Sequence, residues 1–310
     1  MGAETAIRVN GVHKTYGGLL ARRKKALLGI DLEVGQGEVF GLIGPNGAGK
    51  TTLMGCLLGL LRPDIGTIEV AGRAPDDLWV RERTGYLPER LGFDRGLTGR
   101  QFLELHARLA GVPTRQVPEA IEDVRQRSDL AAEAMKRRLK SYSRGMLQRI
   151  ALAQALLREP AFLFLDEPTS GMDPTGVALV RRHLHDAKAR GATVVLNSHH
   201  LTEVERVCDR VAFVRGGRVE RLETLSGQAS ARQAWCVRVP GPQQERACVA
   251  LLAAGFAVSS NDGLLRIEGG AVEAVGPALV GAGVTLIELR PIGAQLEQLF
   301  FAEKNGESGG

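Results

Sequence analysis

Residues 44–51 read Gly-Pro-Asn-Gly-Ala-Gly-Lys-Thr, directly after the apolar run Val39-Phe40-Gly41-Leu42-Ile43. Apolar residues at helical spacing follow: Leu53, Met54, Leu57, Leu58, Leu60 and Leu61. The order is therefore buried strand, glycine-rich turn and helix. The turn matches the phosphate-binding pattern G-x-x-x-x-G-K-[ST], and Thr52 adds a second hydroxyl. A triphosphate needs more donors near its oxygens than bulky side chains can bring. Gly44, Gly47 and Gly49, separated by Pro45-Asn46 and by Ala48, let the backbone curl so that successive N–H groups point inward. The helix starting near Gly49 adds its positive end. Lys50 reaches the β and γ phosphates, and Thr51 is placed to hold Mg²⁺.

Outward from this loop, strand-like and helix-like segments alternate from Ile7 to about Gly217, and the class is α/β. Phe162–Leu165 and Thr193–Leu196 are short continuous apolar runs, as buried parallel strands should be. Residues 146–157 and 175–189 have helical spacing and end at Arg158-Glu159-Pro160 and Arg190-Gly191. Val211–Val214, then Arg215-Gly216-Gly217-Arg218, then Val219, reads as a hairpin closing this part. We expect a first domain over residues 5–222, a polar linker over 223–233, a small α+β domain over 234–304 and a frayed tail over 305–310. In the small domain Trp235–Val239 is strand-like and 243–254 helix-like. Residues 256–260 and 264–268 form a hairpin around Asn261-Asp262-Gly263. A second helix over 271–280 is weakened by Gly276-Pro277. A strand over 284–289 and a short helix near 296–303 complete a β-α-β-β-α-β order of ferredoxin-like type.

Phe162–Leu165 runs straight into Asp166-Glu167. An acidic residue at the end of a buried strand sits at the carboxyl edge of the sheet, where open α/β folds bind ligands. Asp166 is placed to hold Mg²⁺, and Glu167 to orient or deprotonate a water attacking the γ phosphate. By itself such a pair can equally be a helix cap. Ser143-Arg144-Gly145-Met146 precedes a strong helix, so Ser143 can cap it or leave its N–H groups to an anion. His199, in Asn197-Ser198-His199-His200, follows a strand end. It can donate to a phosphate oxygen or serve as a structural hydrogen-bonder.

The chain of 310 residues is 44% hydrophobic and 24% charged, a globular composition. No apolar run reaches the ~18 residues of a membrane-spanning helix. The best stretch, 271–289, carries Glu273 and Glu288. The N-terminus has neither a signal peptide nor a myristoylation pattern. Cys56, Cys208, Cys236 and Cys248 are scattered, which argues against zinc and against a disulfide framework. The net charge of +5 divides into about +7 before Ser226 and about −2 after it. A basic first part can face phosphate, acidic lipid or nucleic acid, with Arg22-Arg23-Lys24-Lys25 its densest piece.

Taken together, these motifs resemble the nucleotide-binding subunits of ABC transporters over most of residues 5–222. The resemblance implies a RecA-like core with a helical subdomain and an antiparallel β subdomain. It makes Tyr16 the residue stacking on adenine, 44–51 the Walker A loop, Asp166 and Glu167 the Walker B pair, Asp173 the D-loop aspartate and His199 the switch histidine. Ser143-Arg144-Gly145-Met146 is a variant of the signature, commonly Ser-Gly-Gly-Gln. Glu89 stands where many relatives have the Q-loop glutamine and can still meet Mg²⁺. Ser143 and Gly145 are retained, and activity is expected to survive. The resemblance further implies ATP and Mg²⁺ as ligands. It implies a head-to-tail dimer in which each signature serves the partner's ATP, a separate membrane permease, and a location in the cytoplasm on the inner face of the membrane. The branch it looks most like exports drugs, polysaccharides or lipids. The alternative, motivated by the basic first part, is a non-transport ABC-type ATPase acting on nucleic acid or ribosomes; nucleic acid is not expected as a partner, since such proteins generally carry two cassettes, long coiled-coil insertions or a basic arm, which this sequence does not show.

Overall fold

The computed structural model describes residues 4–17, 23–225, 234–261 and 264–291. Arg22 of the basic cluster, most of the expected linker, Asp262-Gly263, the helix expected near 296–303 and the tail lie outside these residues.

In chain order the first elements are β1 (Thr5–Tyr16), β2 (Lys24–Gly35), β3 (Val39–Ile43), α1 (Lys50–Leu57), β4 (Ile65–Val70), α2 (Leu78–Arg81), β5 (Thr84–Leu87), α3 (Gly99–Leu109), α4 (Val117–Arg127), α5 (Ala132–Lys136) and α6 (Arg144–Ala155). They are followed by β6 (Phe162–Asp166), α7 (Pro174–Ala189), β7 (Thr193–Asn197), α8 (Leu201–Val207), β8 (Arg210–Arg215) and β9 (Arg218–Thr224). The main sheet runs β5-β6-β7-β3-β8-β9, parallel except for the last pair. Every residue of β3, β6 and β7 is buried, which is why these strands read as continuous apolar runs. A second, antiparallel sheet, β2-β1-β4, shares an apolar core with β3 and α1 through Ile7, Leu27, Ile30, Phe40 and Leu53. The helices α3 to α6 enclose a core of their own, with Phe102, Leu103, Ile121, Met135 and Ile150. Thr98 and Gln101 form a reciprocal capping box at the start of α3.

The helix after the phosphate loop is shorter than the apolar spacing implies. It ends at Leu57, because Gly59 turns left-handed (φ 65°) and stops it, leaving Leu60 exposed.

The chain divides into two compact units. One comprises residues up to His200 with Val207–Thr224, and the other Leu201–Arg206 with the residues after Thr224. In the latter, β10 (Ala234–Arg238), α9 (Gln244–Ala253), β11 (Ala257–Asn261), β12 (Leu264–Glu268), α10 (Val275–Gly281) and β13 (Glu288–Pro291) form an antiparallel sheet of order β11-β12-β10-β13. That order is the ferredoxin-like one. Its core holds Val237, Leu251, Phe256, Ile267 and Leu279. Two local expectations shift here. Pro277 does not weaken the second helix, since it lies in the first turn of α10, where its missing N–H has no helical partner to lose. The last strand is 288–291 rather than 284–289: Val284 instead ends the turn after α10, donating to Leu279. Among the described residues no helix is long and apolar enough to cross a membrane.

Candidate active site

β3 delivers the chain into the phosphate loop, two of whose glycines are dictated by close approach. A Cβ at Gly44 would stand 2.0 Å from the Val214 carbonyl oxygen, and one at Gly49 2.6 Å from that of Ala26. Gly47 differs from both. It is exposed, and a Cβ there would meet nothing within 4 Å, so space does not demand glycine at this position. Its φ of 81° does, because the left-handed turn that curls the loop is strained for any residue with a side chain. The tip of the β8–β9 hairpin braces the loop from behind. Gly217 N–H donates to the Ala48 carbonyl at 2.9 Å, and the Gly217 carbonyl accepts from Leu28 N–H at 2.8 Å. Among the described residues no side chain caps α1, which leaves the N–H groups of its first turn without a capping partner there. Lys50 is buried, and its Nζ donates to the carbonyls of Gly44 (2.6 Å) and Pro45 (3.1 Å). Burial lowers its pKa, against the opposing pull of Glu167, Asp166 and Glu89. Thr51 is exposed and Thr52 half-buried, and Tyr16, exposed to 40% as a residue, has its Oη 3.3 Å from Thr52 Oγ1.

β6 and β7 end beside the loop in register, Asp166 against Asn197 and Leu42 of β3 also against Asn197. Asn197 Nδ2 donates to Asp166 Oδ1. Asp166 is nonetheless pushed up to about 6, because burial outweighs that hydrogen bond and the charges of Glu89 and Glu167 add to it. Glu167 has a left-handed backbone (φ 51°), a conformation costing a side-chain-bearing residue about 1–2 kcal/mol. The surroundings hold it there. Its N–H donates to the Asn197 carbonyl (2.9 Å), and its carbonyl accepts from Ser170 N–H (3.1 Å). His199 Nδ1 stands 2.8 Å from Glu167 Oε2, but the ring N–H is not aligned with it, and among the described residues that buried oxygen has no hydrogen-bond partner. Lys50, Glu89 and the adjacent pair Asp166-Glu167 thus fall within electrostatic reach of one another, and His199 touches Glu167.

The residues 143–146 and Asp173 form a different wall. Ser143, Gly145, Met146 and Asp173 line a cavity of about 660 Å³ together with Arg149 and Asp129, and none of residues 44–52 borders it. Ser143 is the N-cap of α6, its Oγ accepting from Met146 N–H at 3.3 Å. Arg144 turns away and donates to Ser170 Oγ at 2.7 Å. Asp173 caps α7 by accepting from Gly176 N–H at 2.8 Å, which holds its carboxyl below the usual range. Arg149 bridges Asp129 and Thr175. Three contributors carry no signature in the sequence taken alone: Asn197, Gly217 and Gln148. Gln148 is buried and donates to the carbonyls of Glu167 (3.4 Å) and Pro168 (3.0 Å). In the sequence Gln148 stands only as one polar residue of a helix, and its burial is what marks it out.

Comparison with known proteins agrees with this geometry. Residues 27–170 match the family described as ABC transporter, and residues 235–297 match a domain of unknown function, DUF8746. The chain is 42% identical to an uncharacterized ABC transporter ATP-binding protein of Nostoc sp. strain PCC 7120, over 69% of this chain and 64% of that one. It is 44% identical to the daunorubicin resistance ATP-binding protein DrrA3 of Streptomyces coeruleorubidus, over 70% and 67%. Against the uncharacterized ABC transporter ATP-binding protein YdbJ of Bacillus subtilis strain 168 it is 32% identical, over 96% and 95%. A solved structure described as an ATP-binding subunit of an ABC transporter superposes with a TM-score of 0.64 at 29% identity, covering 71% of this chain and 90% of that one. The chain belongs to the family of ABC transporter ATP-binding proteins, and its first unit is the ATPase cassette of that family.

Proposed function

We propose that this chain is the energy subunit of an exporter, hydrolysing ATP between two cassettes and passing the resulting motion to a separate permease on the inner face of the membrane. The observation that carries the reading is the convergence of Lys50, Asp166, Glu167 and His199 at one sheet edge. The N-terminus of the signature helix lies in a cavity that excludes the phosphate loop. A site divided over two walls of one molecule is completed by facing the opposite wall of a second copy. The similarity to DrrA3, a drug resistance protein, supports export.

Each residue then has a task. Lys50 exchanges the carbonyls of Gly44 and Pro45 for phosphate oxygens, keeping its ammonium hydrogen-bonded throughout. The uncapped N–H groups of α1 meet the same phosphates, and the Tyr16 ring offers an exposed face to the base. The Oε2 of Glu167, without a hydrogen-bond partner among the described residues, accepts a proton from the attacking water, and His199, whose Nδ1 stands 2.8 Å from it, is close enough to donate to a γ-phosphate oxygen. The donor set fits Mg²⁺: buried carboxylates crowded enough to raise Asp166 are groups that a divalent cation would relieve, and Thr51, Asp166 and Glu89 would hold it. When bound, that ion neutralises developing phosphate charge.

Glu167→Gln provides the test. We expect hydrolysis to fall at least a hundredfold, with stable dimers by light scattering in saturating Mg-ATP and none in Mg-ADP. A variant that stays monomeric in Mg-ATP would sink the two-walled site.

A further inference from the structure

The inference rests on the reading of Glu167 as the residue that activates water. We infer that Gln148 is a positioning residue for Glu167: the helix that begins the signature wall also sets the backbone of this chain's own catalytic carboxylate. Two facts demand an explanation. Glu167 sits in a left-handed conformation that a residue with a side chain adopts only under constraint, and Gln148 is a polar side chain buried at 3% exposure. Each accounts for the other. The Gln148 amide donates to the carbonyls of Glu167 and Pro168, the two peptide groups that follow the strained φ. A second tether comes from the same helix. Arg144 donates to Ser170 Oγ while Ser170 N–H donates to the Glu167 carbonyl, closing the turn 167–170 against α6.

The geometry also couples two walls. Ser143, at the N-cap, and Gln148 lie five residues apart on one rigid element, a rise of about 7.5 Å. A phosphate gripped at the N-terminus of α6 therefore bears on the helix whose next turn holds Glu167. The turn 167–170 cannot stay in place if the helix shifts alone.

The experiment is steady-state ATPase kinetics on the full chain carrying Gln148→Met, which keeps the volume and removes the donors. Mg-ATP affinity is measured by calorimetry in the Glu167→Gln background, with and without the second change. We expect kcat to drop about tenfold while KM and the calorimetric affinity stay within twofold, since the phosphate loop is untouched. A kcat within twofold of the parent overturns the inference, as does a parallel loss of kcat and ATP affinity. If Gln148→Met does not fold, Ser170→Ala takes its place. It should lower kcat two- to threefold at constant KM, and no change overturns the inference. Glu167→Gln alone separates the two claims. Retained hydrolysis there defeats the catalytic reading and the inference with it. An inactive Glu167→Gln beside a fully active Gln148→Met defeats the inference alone.

Discussion

At the residue scale the site is held against its own stability. Asp166 is buried among like charges, and its pKa of about 6 lies above the ordinary value of 3.8. A carboxyl with a raised folded pKa contributes its full stability below about pH 4 and loses it as pH rises through about 6. At pH 8 the ionised group costs the nucleotide-free chain on the order of 2–3 kcal/mol. Asp166→Asn keeps an acceptor for Asn197 and removes the charge. We expect its Tm at pH 8 to exceed the parent's by roughly 5 °C, with the gap narrowing to about half by pH 5 and closing only below about pH 4. Thermal melts at the two pH values without nucleotide check this, and an equal or lower Tm at pH 8 would contradict it. The residue types were legible from Asp166-Glu167 following an apolar run. The size of the shift was not, because it comes first from burial in the closed sheet, which the hydrogen bond from Asn197 opposes and the charge of Glu89, far away in sequence, reinforces.

At the element scale the phosphate loop depends on the hairpin that ends the first unit. Gly216 and Gly217 both adopt positive φ, as a tight two-residue hairpin requires, but their surroundings differ. A Cβ at 216 meets nothing within 4 Å, whereas one at 217 would stand 2.6 Å from the Ala26 carbonyl oxygen. Gly216→Ala should therefore cost about 1 kcal/mol of stability from backbone preference alone, with ATP affinity unchanged. Gly217→Ala adds a backbone collision and loosens the bond to Ala48. We expect a further ~1–3 kcal/mol and an ATP affinity weakened severalfold. Urea unfolding paired with nucleotide titration separates the two, and equal effects would show that the tip does not brace the loop. The hairpin itself could be read from Arg215-Gly216-Gly217-Arg218. Its contact with the loop could not, since strand order β3-β8 is a property of the closed sheet. The early stop of α1 at Leu57 is similar: apolar spacing continued to Leu61, and the left-handed Gly59 ended the helix.

At the scale of the whole molecule, two units each enclose a core. Calorimetry of the full chain should show two unfolding transitions. Mg-ATP should raise the one belonging to the cassette by about 2.7 kcal/mol at a hundredfold excess over Kd and leave the other in place. A single transition shifted as a whole would show that the units unfold together. Local sequence was enough for the α/β class, the strand–loop–helix of the phosphate site, the acidic strand end and the β-α-β-β-α-β order. Those features rest on short-range geometry, the periods of strand and helix and the conformational freedom of glycine, which neighbouring residues carry among themselves. Gly47 belongs to that local kind, since its positive φ alone requires it, whereas the need for glycine at 44 and 49 comes from carbonyls of distant strands. Placing Glu89, Asn197 and His199 around Asp166 and Glu167, turning Arg144 toward Ser170, and seating the Gln148 amide under a strained peptide required the closed fold. Those contacts join residues distant along the chain, and their energies depend on burial and on distances that exist only once the sheet has assembled.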